Sequence, residues 1–237
     1  MKLSIKGDII RNDDKWIYDF FEIEGCCPKD VEAAIEKCAD GEPLDVEISS
    51  GGGDVIAGSE IYTALSGYKK GELTIRVTGL AASAASVIAM AGHCEMARTA
   101  LMMIHNTATV ARGDYRDMEH AAEVLRAANE AIRSAYKAKT GRSEEELAEM
   151  MDRETWIPAE KAVKLGFADG IMNDEEAPVL PIAAAIGTSL SAEALEKLRA
   201  RIKTIQDAEK GTADNGHAAL ARAEADYNFM LLKGAQR

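Results

Sequence analysis

Apolar and polar residues in the first part of the chain follow two alternating periods, which predict strands and helices in turn. Alternating or β-branched runs predict strands at about residues 3–10, 44–48, 73–78 and 100–105, with short strands at about 152–157 and 167–171. Apolar residues at helical spacing predict helices over about residues 28–38, 55–67, 84–90, 114–139, 143–151 and 158–165. Strands separated by helical crossovers are typical of an α/β fold that contains parallel strands.

The pattern changes near residue 174, where an acidic and then proline- and alanine-rich stretch begins. We interpret residues 1–173 as one folded domain and residues 174–190 as a linker. Helical spacing returns after the linker and is interrupted by a glycine-containing polar stretch at 211–216. Residues 191–237 are therefore predicted to form a helical or partly disordered C-terminal tail.

Composition excludes several classes of function. The net charge of −12 and the pI of about 4.9 argue against a nucleic-acid partner, because phosphate-binding surfaces are basic. No apolar run approaches the roughly 20 residues of a membrane span and no export signal is recognisable, so we expect a cytoplasmic protein without membrane attachment. The four cysteines lack C-x-x-C or disulfide-like spacing and are predicted to be reduced thiols. His93 and Cys94 have no second ligand pair nearby, so no metal site is predicted.

Ser83 lies at the predicted turn from the third strand into a short buried helix, within the run Gly-Leu-Ala-Ala-Ser-Ala-Ala-Ser that starts at Gly79. The small neighbours leave room for a substrate backbone and let the helix pack closely on the sheet. Two backbone N–H groups at such a turn can also face an oxyanion. Taken alone, however, this run is more simply explained by small-residue helix packing.

Three consecutive glycines, 51–53, separate a predicted strand from a helix that begins near Val55. Their cost in backbone entropy predicts either a positive φ or the close approach of another group. A phosphate loop is an alternative, but neither a following Gly-Lys-Ser/Thr nor Rossmann spacing is present, and a plain flexible turn is another. A glycine loop before a helix can also bind an anion, including a substrate oxyanion. Because neither nucleotide-binding motif is present, no nucleotide or other cofactor is predicted.

His105 ends the fourth strand, and two carboxylates, Asp152 and Glu154, follow later in the chain. With Ser83 they supply, in sequence order, a nucleophile, a base and an acid. A serine hydroxyl needs a histidine to take its proton, and the histidine needs a carboxylate to fix its tautomer. A lone histidine in this position is more often a core or edge residue, and spacing alone does not bring these groups together.

Four stretches, collinear and at compatible spacing, resemble the Clp-type proteolytic subunit (ClpP) family. I-S-S-G-G-G-D-V-I-A-G-S-E-I-Y is similar to the family's I-N-S-P-G-G-S-V-T-A-G-x-x-I-Y, and G-L-A-A-S-A-A-S to its G-x-A-A-S-M-G-A. M-M-I-H-N-T is similar to M-I-H-Q-P. Residues 140–169 are similar to the family's T-G-x-x-x-E-x-I-x-x-D-x-x-R-D-x-F-x-S-A-x-E-A-x-E-Y-G-L-V-D. In this chain they are T-G-R-S-E-E-E-L-A-E-M-M-D-R-E-T-W-I-P-A-E-K-A-V-K-L-G-F-A-D. The resemblance covers about residues 1–172, and the compact N-terminus and the Glu-Thr-Trp segment are most like phage and prophage head-maturation proteases.

The resemblance implies a ClpP/crotonase-like fold of repeated strand-strand-helix units, with residues 114–139 as its long handle helix. Within that fold it implies Ser83 as the nucleophile and His105 as the general base. The family's acid aligns with Glu154, and Asp152 is the alternative acid.

The same resemblance implies an oxyanion hole made by the backbone N–H groups of Gly53 and Ala84, with Gly52 shaping the loop. Gly51 stands where the family has a proline, which predicts a looser loop that substrate or a neighbouring subunit orders.

The function implied is that of a serine endopeptidase that needs no metal or nucleotide and forms a homo-oligomer of stacked rings. Its substrate would be a protein or peptide, and the phage branch implies a prohead protease acting on capsid or scaffold protein. An ATPase unfoldase partner is not expected, because the family's axial loop has little counterpart before Leu3. Two alternatives are a catalytically degenerate scaffold that keeps the rings, and a crotonase-type acyl-CoA enzyme, which needs no Ser-His pair.

Overall fold

The computed structural model of the protein describes residues 1–172. The strands are β1 (Lys2–Ile9), β2 (Gly25–Cys26), β3 (Leu44–Gly53), β4 (Leu73–Ala82), β5 (His93–Met96), β6 (Leu101–Ile104), β7 (Thr155–Pro158) and β8 (Gly170–Ile171). The helices are α1 (Lys15–Phe20), α2 (Pro28–Lys37), α3 (Val55–Ser66), α4 (Ala84–Ala89), α5 (Tyr115–Thr140), α6 (Glu144–Asp152) and α7 (Ala159–Leu165). The predicted linker, 174–190, and the predicted tail, 191–237, lie outside the described residues.

The strands join in one mixed sheet of order β2-β1-β3-β4-β5-β8, with β6 also paired to β4 and β7 to β6. All of these pairings are parallel except β6–β7, which is antiparallel. Parallel strands joined by helices need both faces covered, and the central strands are accordingly rich in buried β-branched residues. Fully buried examples are Ile5, Val46, Ile48, Ile75 and Val77.

Strand β4 is shared between two neighbours on one edge. Its first part pairs with β5 from Thr74 to Val77, and its last part pairs with β6 from Leu80 to Ala82. Its other edge pairs with β3 along most of its length, with a register shift between Ile48 and Ser50. The carboxyl ends of β3, β4 and β6 therefore meet at the same edge of the sheet, where loops from parallel strands converge.

Helix α4 lies directly after β4 and is buried along its whole length. Helix α3 approaches it closely at Gly58, where an added Cβ would lie 2.9 Å from the Ala84 Cβ. Helix α5 is 26 residues long, is capped by Asp114, and ends at Gly141 in the left-handed conformation. Its C-terminal part is buried through Ala135 and Tyr136.

Several short elements differ from the sequence-based prediction. Residues 12–14, expected only to break the first strand, form a 3-10 turn, and α1, β2 and β5 were not predicted. The glycines 51–53, expected as a loop, are the last residues of β3, because β1 continues to pair with Gly52 and Gly53. The third strand continues beyond residue 78 as far as Ala82, so Ser83 follows the strand directly.

A charged cluster lies where β5 meets the turn before β8. The Asp169 carboxylate accepts a hydrogen bond from the Cys94 N–H at 2.7 Å, and it also pairs with the Lys139 ammonium. Burial raises the pKa of Asp169, but the Cys94 N–H and Lys139 outweigh it and hold that pKa below its usual range. Deprotonated Asp169 therefore links α5 to the edge of the sheet.

The four cysteines are free and buried. Burial raises the pKa of the Cys26 and Cys94 thiols to about 12, so both are protonated at neutral pH. Within residues 1–172, the helices are all too short or too polar to cross a bilayer.

Candidate active site

Ser83 occupies a strained turn between β4 and α4. Its backbone has φ 53° and ψ −126°, a conformation that costs a non-glycine residue about 1–3 kcal/mol. The turn is held from one side by a hydrogen bond of 2.9 Å from the Ser83 N–H to the Met103 carbonyl of β6. On the other side of the turn, the small side chain of Ala84 lets α4 lie close to Gly58 of α3.

His105 lies directly against Ser83. The distance from the Ser83 Oγ to the His105 Nε2 is 2.7 Å, and both residues are half-buried. Each residue comes immediately after its strand, and β4 and β6 are parallel neighbours with Ala82 opposite Met103. The sheet therefore brings together the hydroxyl and the imidazole that sequence analysis predicted as a pair.

The glycine run borders the same turn. Gly52 has φ +99°, and an added Cβ there would lie 2.7 Å from the Ala82 carbonyl oxygen, 2.7 Å from the Ser83 Cβ and 3.1 Å from the Ala84 nitrogen. The expected close approach and positive φ are thus both present at Gly52. By contrast, Gly51 is exposed, and a Cβ there would meet nothing within 4 Å.

Buried hydrogen bonds fix the loop on its inner side. The Ser50 hydroxyl donates to the Gly7 carbonyl at 2.6 Å and accepts from the Gly52 N–H at 3.1 Å. Gly53 has φ +148°, and an added Cβ would collide with the Ile9 carbonyl. The N-terminus of α3 is capped by Asp54, whose carboxylate accepts from the Ala57 N–H at 2.8 Å.

The two candidate carboxylates are exposed and engage other partners. Asp152 accepts a hydrogen bond of 2.7 Å from the Asn106 amide. Glu154 accepts one of 3.2 Å from the Trp156 indole N–H, and its backbone has φ +50°. Among the described residues, neither carboxylate forms a hydrogen bond to His105, so the structure brings together two of the three predicted triad groups.

The register of β6 and β7 distinguishes the two carboxylates. These antiparallel strands pair Met103 with Trp156 and Ile104 with Thr155. Extending this register by one step would set His105 opposite Glu154, although Glu154 itself precedes β7 and has φ +50°. Asp152 lies two residues further from the end of this pairing.

Contacts beneath Ser83 and beside His105 were not predicted. The Ser86 hydroxyl contacts both the Ser83 carbonyl and the Tyr136 hydroxyl. Thr107 is tied to α5 by two hydrogen bonds to the Asn129 side chain, of 2.7 and 2.8 Å. The available signal for Ser86 was a polar residue in an otherwise apolar helix. Residues 1–172 contain no cluster of three or more His, Cys, Asp or Glu able to hold a metal ion.

Comparison with known proteins identifies the family. The family model described as Clp protease matches residues 33–175, more than half of the chain. The ATP-dependent Clp protease proteolytic subunit 1 of Chlamydia trachomatis serovar D is 34% identical over 138 residues, which cover 56% of this chain and 71% of that protein. The protein of the same name from Salinibacter ruber is 26% identical over 167 residues, covering 69% of this chain and 71% of that protein.

The fold agrees with this match. A solved structure of a ClpP1 mutant from Listeria monocytogenes has a TM-score of 0.59 at 22% identity, covering 74% of this chain and 93% of that chain. The predicted ClpP-like α/β fold is therefore confirmed. With the matched sequence range and the shared fold together, this chain belongs to the Clp protease family.

Proposed function

We propose that this chain is a serine endopeptidase in which Ser83 is the nucleophile and His105 the general base. The observation that carries the proposal is the 2.7 Å contact between the Ser83 Oγ and the His105 Nε2 at a strained strand-to-helix turn. A serine hydroxyl becomes a competent nucleophile when an imidazole at this distance accepts its proton. The pair lies beside the glycine run, where Gly52 approaches the Ser83 turn closely.

The reaction is acyl transfer. The Ser83 Oγ bonds to the peptide carbonyl carbon while its proton passes to the His105 Nε2. The backbone N–H groups of Gly53 and Ala84 stabilise the resulting oxyanion, and Gly52 keeps the loop against the turn. The C–N bond then breaks as His105 protonates the leaving amine. Water, deprotonated by His105, cleaves the ester, and the proton returns to the Ser83 oxygen.

We assign the third position to Glu154 and keep Asp152 as the alternative. Glu154 stands opposite His105 when the β6–β7 register is extended by one step. Its carboxylate accepts a hydrogen bond from the Trp156 indole, so this assignment requires the side chain to leave Trp156 for the imidazole. Asp152 is instead held by the neighbouring Asn106 amide.

Covalent labelling tests the nucleophile. A fluorophosphonate should form an Oγ–P bond at Ser83 with loss of fluoride, and Ser83→Ala should abolish this labelling. On serine-protease precedent, Ser83→Ala should lower peptidase turnover by about 10⁴–10⁶-fold. A turnover loss below tenfold would assign the activity elsewhere. An unlabelled wild type that still assembles would favour the degenerate scaffold, and stabilisation by acyl-CoA without labelling would favour the crotonase-type alternative.

A matched pair of variants tests the acid. Glu154→Gln and Asp152→Asn each remove one charge at exposed positions two residues apart. If Glu154 completes the triad, Glu154→Gln should lower turnover by up to about 10⁴-fold, as loss of a triad aspartate does. Asp152→Asn should then have an effect of less than tenfold. The opposite ranking would transfer the role to Asp152.

We also propose that the chain assembles with itself into rings. The loop before α5 and the first half of that helix expose large apolar side chains, with Val110 87%, Tyr115 69% and Val124 53% exposed. Exposed apolar clusters of this kind are typical of interaction surfaces. Sedimentation of the full chain should give a multiple of its monomer mass, and Val124→Glu should reduce it. A wild type that stays monomeric at micromolar concentration would contradict assembly.

The finer proposal for the substrate is a phage structural protein, such as capsid or scaffold. It is supported by the resemblance of the segment Glu154-Thr155-Trp156 to head-maturation proteases. Incubation of candidate capsid and scaffold proteins with wild type should give fragments that Ser83→Ala does not give. Identical band patterns after incubation with wild type and with Ser83→Ala would contradict this proposal.

A further inference from the structure

A buried chain of hydroxyl groups leads from α5 to the nucleophile turn. The Ser86 Oγ lies 2.6 Å from the Ser83 carbonyl oxygen and 2.8 Å from the Tyr136 hydroxyl. Ser86 and Tyr136 are both completely buried. Tyr136 is on the C-terminal part of α5, and its ring packs edge-on against Phe167.

The direction of these hydrogen bonds follows from the number of protons. The Ser83 carbonyl can only accept, so the single Ser86 hydroxyl proton is donated to it. The Tyr136 hydroxyl must then donate to the Ser86 oxygen. Burial raises the pKa of Tyr136, so its hydroxyl keeps the required proton at neutral pH. The chain therefore runs from the Tyr136 O–H through the Ser86 O–H to the Ser83 carbonyl.

The Ser83 carbonyl belongs to the Ser83–Ala84 peptide, whose N–H group is a proposed oxyanion donor. The Ser83 C=O and the Ala84 N–H belong to the same planar trans peptide and point in opposite directions. Fixing the carbonyl in the protein interior therefore fixes the direction of the Ala84 N–H on the other side. Backbone N–H groups of Ser86 and Val87 also bond this carbonyl, at 2.9 and 3.3 Å.

We propose that Tyr136 and Ser86 are positioning residues that orient the Ala84 N–H toward the oxyanion of the reaction. This inference rests on the proposed function, because it concerns the oxyanion hole of that same site. It adds a direct link between α5 and the catalytic turn. Burial alone does not require this pair, because alanine and phenylalanine would fill the same places without needing polar partners.

The test measures reaction of Ser83 with a fluorophosphonate, whose phosphoryl oxygen takes the position of the oxyanion. Saturation kinetics of the full chain separate the maximal rate of bond formation, kinact, from the binding constant, KI. Tyr136→Phe removes one hydroxyl and keeps the ring against Phe167, and Ser86→Ala removes the middle link. Tyr68→Phe is the matched control, since Tyr68 is a buried tyrosine whose hydroxyl donates to the Glu42 carbonyl. Glu42 lies just before β3, at the end of that strand opposite to the glycine run.

Tyr136→Phe and Ser86→Ala should each lower kinact by about tenfold. This effect is smaller than the 10²–10³-fold loss of a whole oxyanion donor, because the Ala84 N–H remains but is less well directed. KI should stay within about twofold, since the phosphoryl oxygen gains charge only during the reaction. The double variant should react no more slowly than Ser86→Ala, because both changes interrupt one chain. Tyr68→Phe should leave kinact unchanged even where it lowers the thermal midpoint.

The outcomes separate this inference from the proposed function. Equal kinact for wild type, Tyr136→Phe and Ser86→Ala would overturn the positioning role and leave the nucleophile assignment intact. A matching decrease in Tyr68→Phe would also overturn it, since the effect would then follow stability. Absence of labelling in wild type would overturn both. If Tyr136→Phe does not fold, Ser86→Ala alone decides, and an unchanged kinact in that variant rejects the inference.

Discussion

Gly52→Ala is the substitution for which the structure predicts the sharpest coupled loss of stability and reactivity. The new Cβ would lie 2.7 Å from both the Ala82 carbonyl oxygen and the Ser83 Cβ, in a backbone with φ +99°. The neighbouring atoms belong to the backbone and to the nucleophile, so no flexible side chain can move aside. Gly51→Ala provides an adjacent control, because its Cβ would have no atom within 4 Å.

The expected magnitude follows from two costs. The left-handed backbone costs about 1–3 kcal/mol for a residue with a Cβ, and overpacking costs about 1–3 kcal/mol. Together they predict a fall of roughly 2–6 kcal/mol in the free energy of unfolding. Carbon atoms normally approach to about 3.5–4.0 Å, so relief of the contact with Ser83 requires a shift of about 1 Å. A misplacement of this size can reduce reactivity by about 10²-fold.

Two assays on the same samples check this prediction. Urea unfolding followed by the fluorescence of Trp16 and Trp156 gives the free energy of unfolding, and fluorophosphonate labelling in buffer gives the reactivity of Ser83. Gly51→Ala should remain within about 1 kcal/mol of wild type, since an unstrained Gly-to-Ala change alters stability by about that much or less. Equal stability and equal labelling in the two variants would refute the close contact between the glycine run and the nucleophile turn.

Three further substitutions test the supports around the site. Ser50→Ala should lower the free energy of unfolding by about 1–3 kcal/mol in urea titrations, because the Gly7 carbonyl and the Gly52 N–H would lose the hydroxyl of a residue that is only 2% exposed. An unchanged midpoint would contradict that role. Asp54→Ala should cost about 1 kcal/mol through loss of the α3 cap, and Asp54→Asn should restore most of it; equal losses in both would reject capping. The folded-state pKa of Asp169 lies below its unfolded-state value of about 4. The ionised carboxylate therefore stabilises the fold above that unfolded-state pKa, and this contribution is lost as the pH falls through the folded-state pKa. The stability difference between wild type and Asp169→Asn should therefore narrow below about pH 4, and a difference that is constant from pH 7 to pH 3 would contradict the shift.

Long periodic segments made the main elements predictable from sequence. The helices around α2, α3 and α5 carry sustained apolar periods, and the structure contains them near the expected bounds. The strands β3 and β4 begin where expected but extend four or five residues further. The strands β2, with two residues, and β5, with four, contain no β-branched residue, which explains why no strand was predicted there. Pairing with β1 also makes the glycines of β3 a strand end, and local sequence does not reveal this tertiary effect.

Some residues of the candidate site were predicted from the sequence, and others are visible only in the structure. Ser83 and His105 were predicted from the resemblance of their segments to the ClpP family, and the structure supplies the physical reason that they meet. Each directly follows a strand, and the two strands are adjacent and parallel, so their ends lie together. The positions of the Asp152 and Glu154 carboxylates depend on side-chain rotation and on the neighbours Asn106 and Trp156, which no spacing rule encodes. The hydroxyl chain through Ser86 likewise depends on how helix α5 docks, which is visible only in three dimensions.

The shared edge of β4 makes the junction between its two pairings unusually sensitive to insertions and deletions. Residues 78 and 79 separate the part that pairs with β5 from the part that pairs with β6. Adding or removing one residue there would displace the final segment of β4 by one position while leaving the β5 pairing in place. Because successive side chains on a strand alternate between faces, Ser83 would then turn to the face opposite His105. A change in length of a single codon at this point would disconnect the two groups without altering either of them.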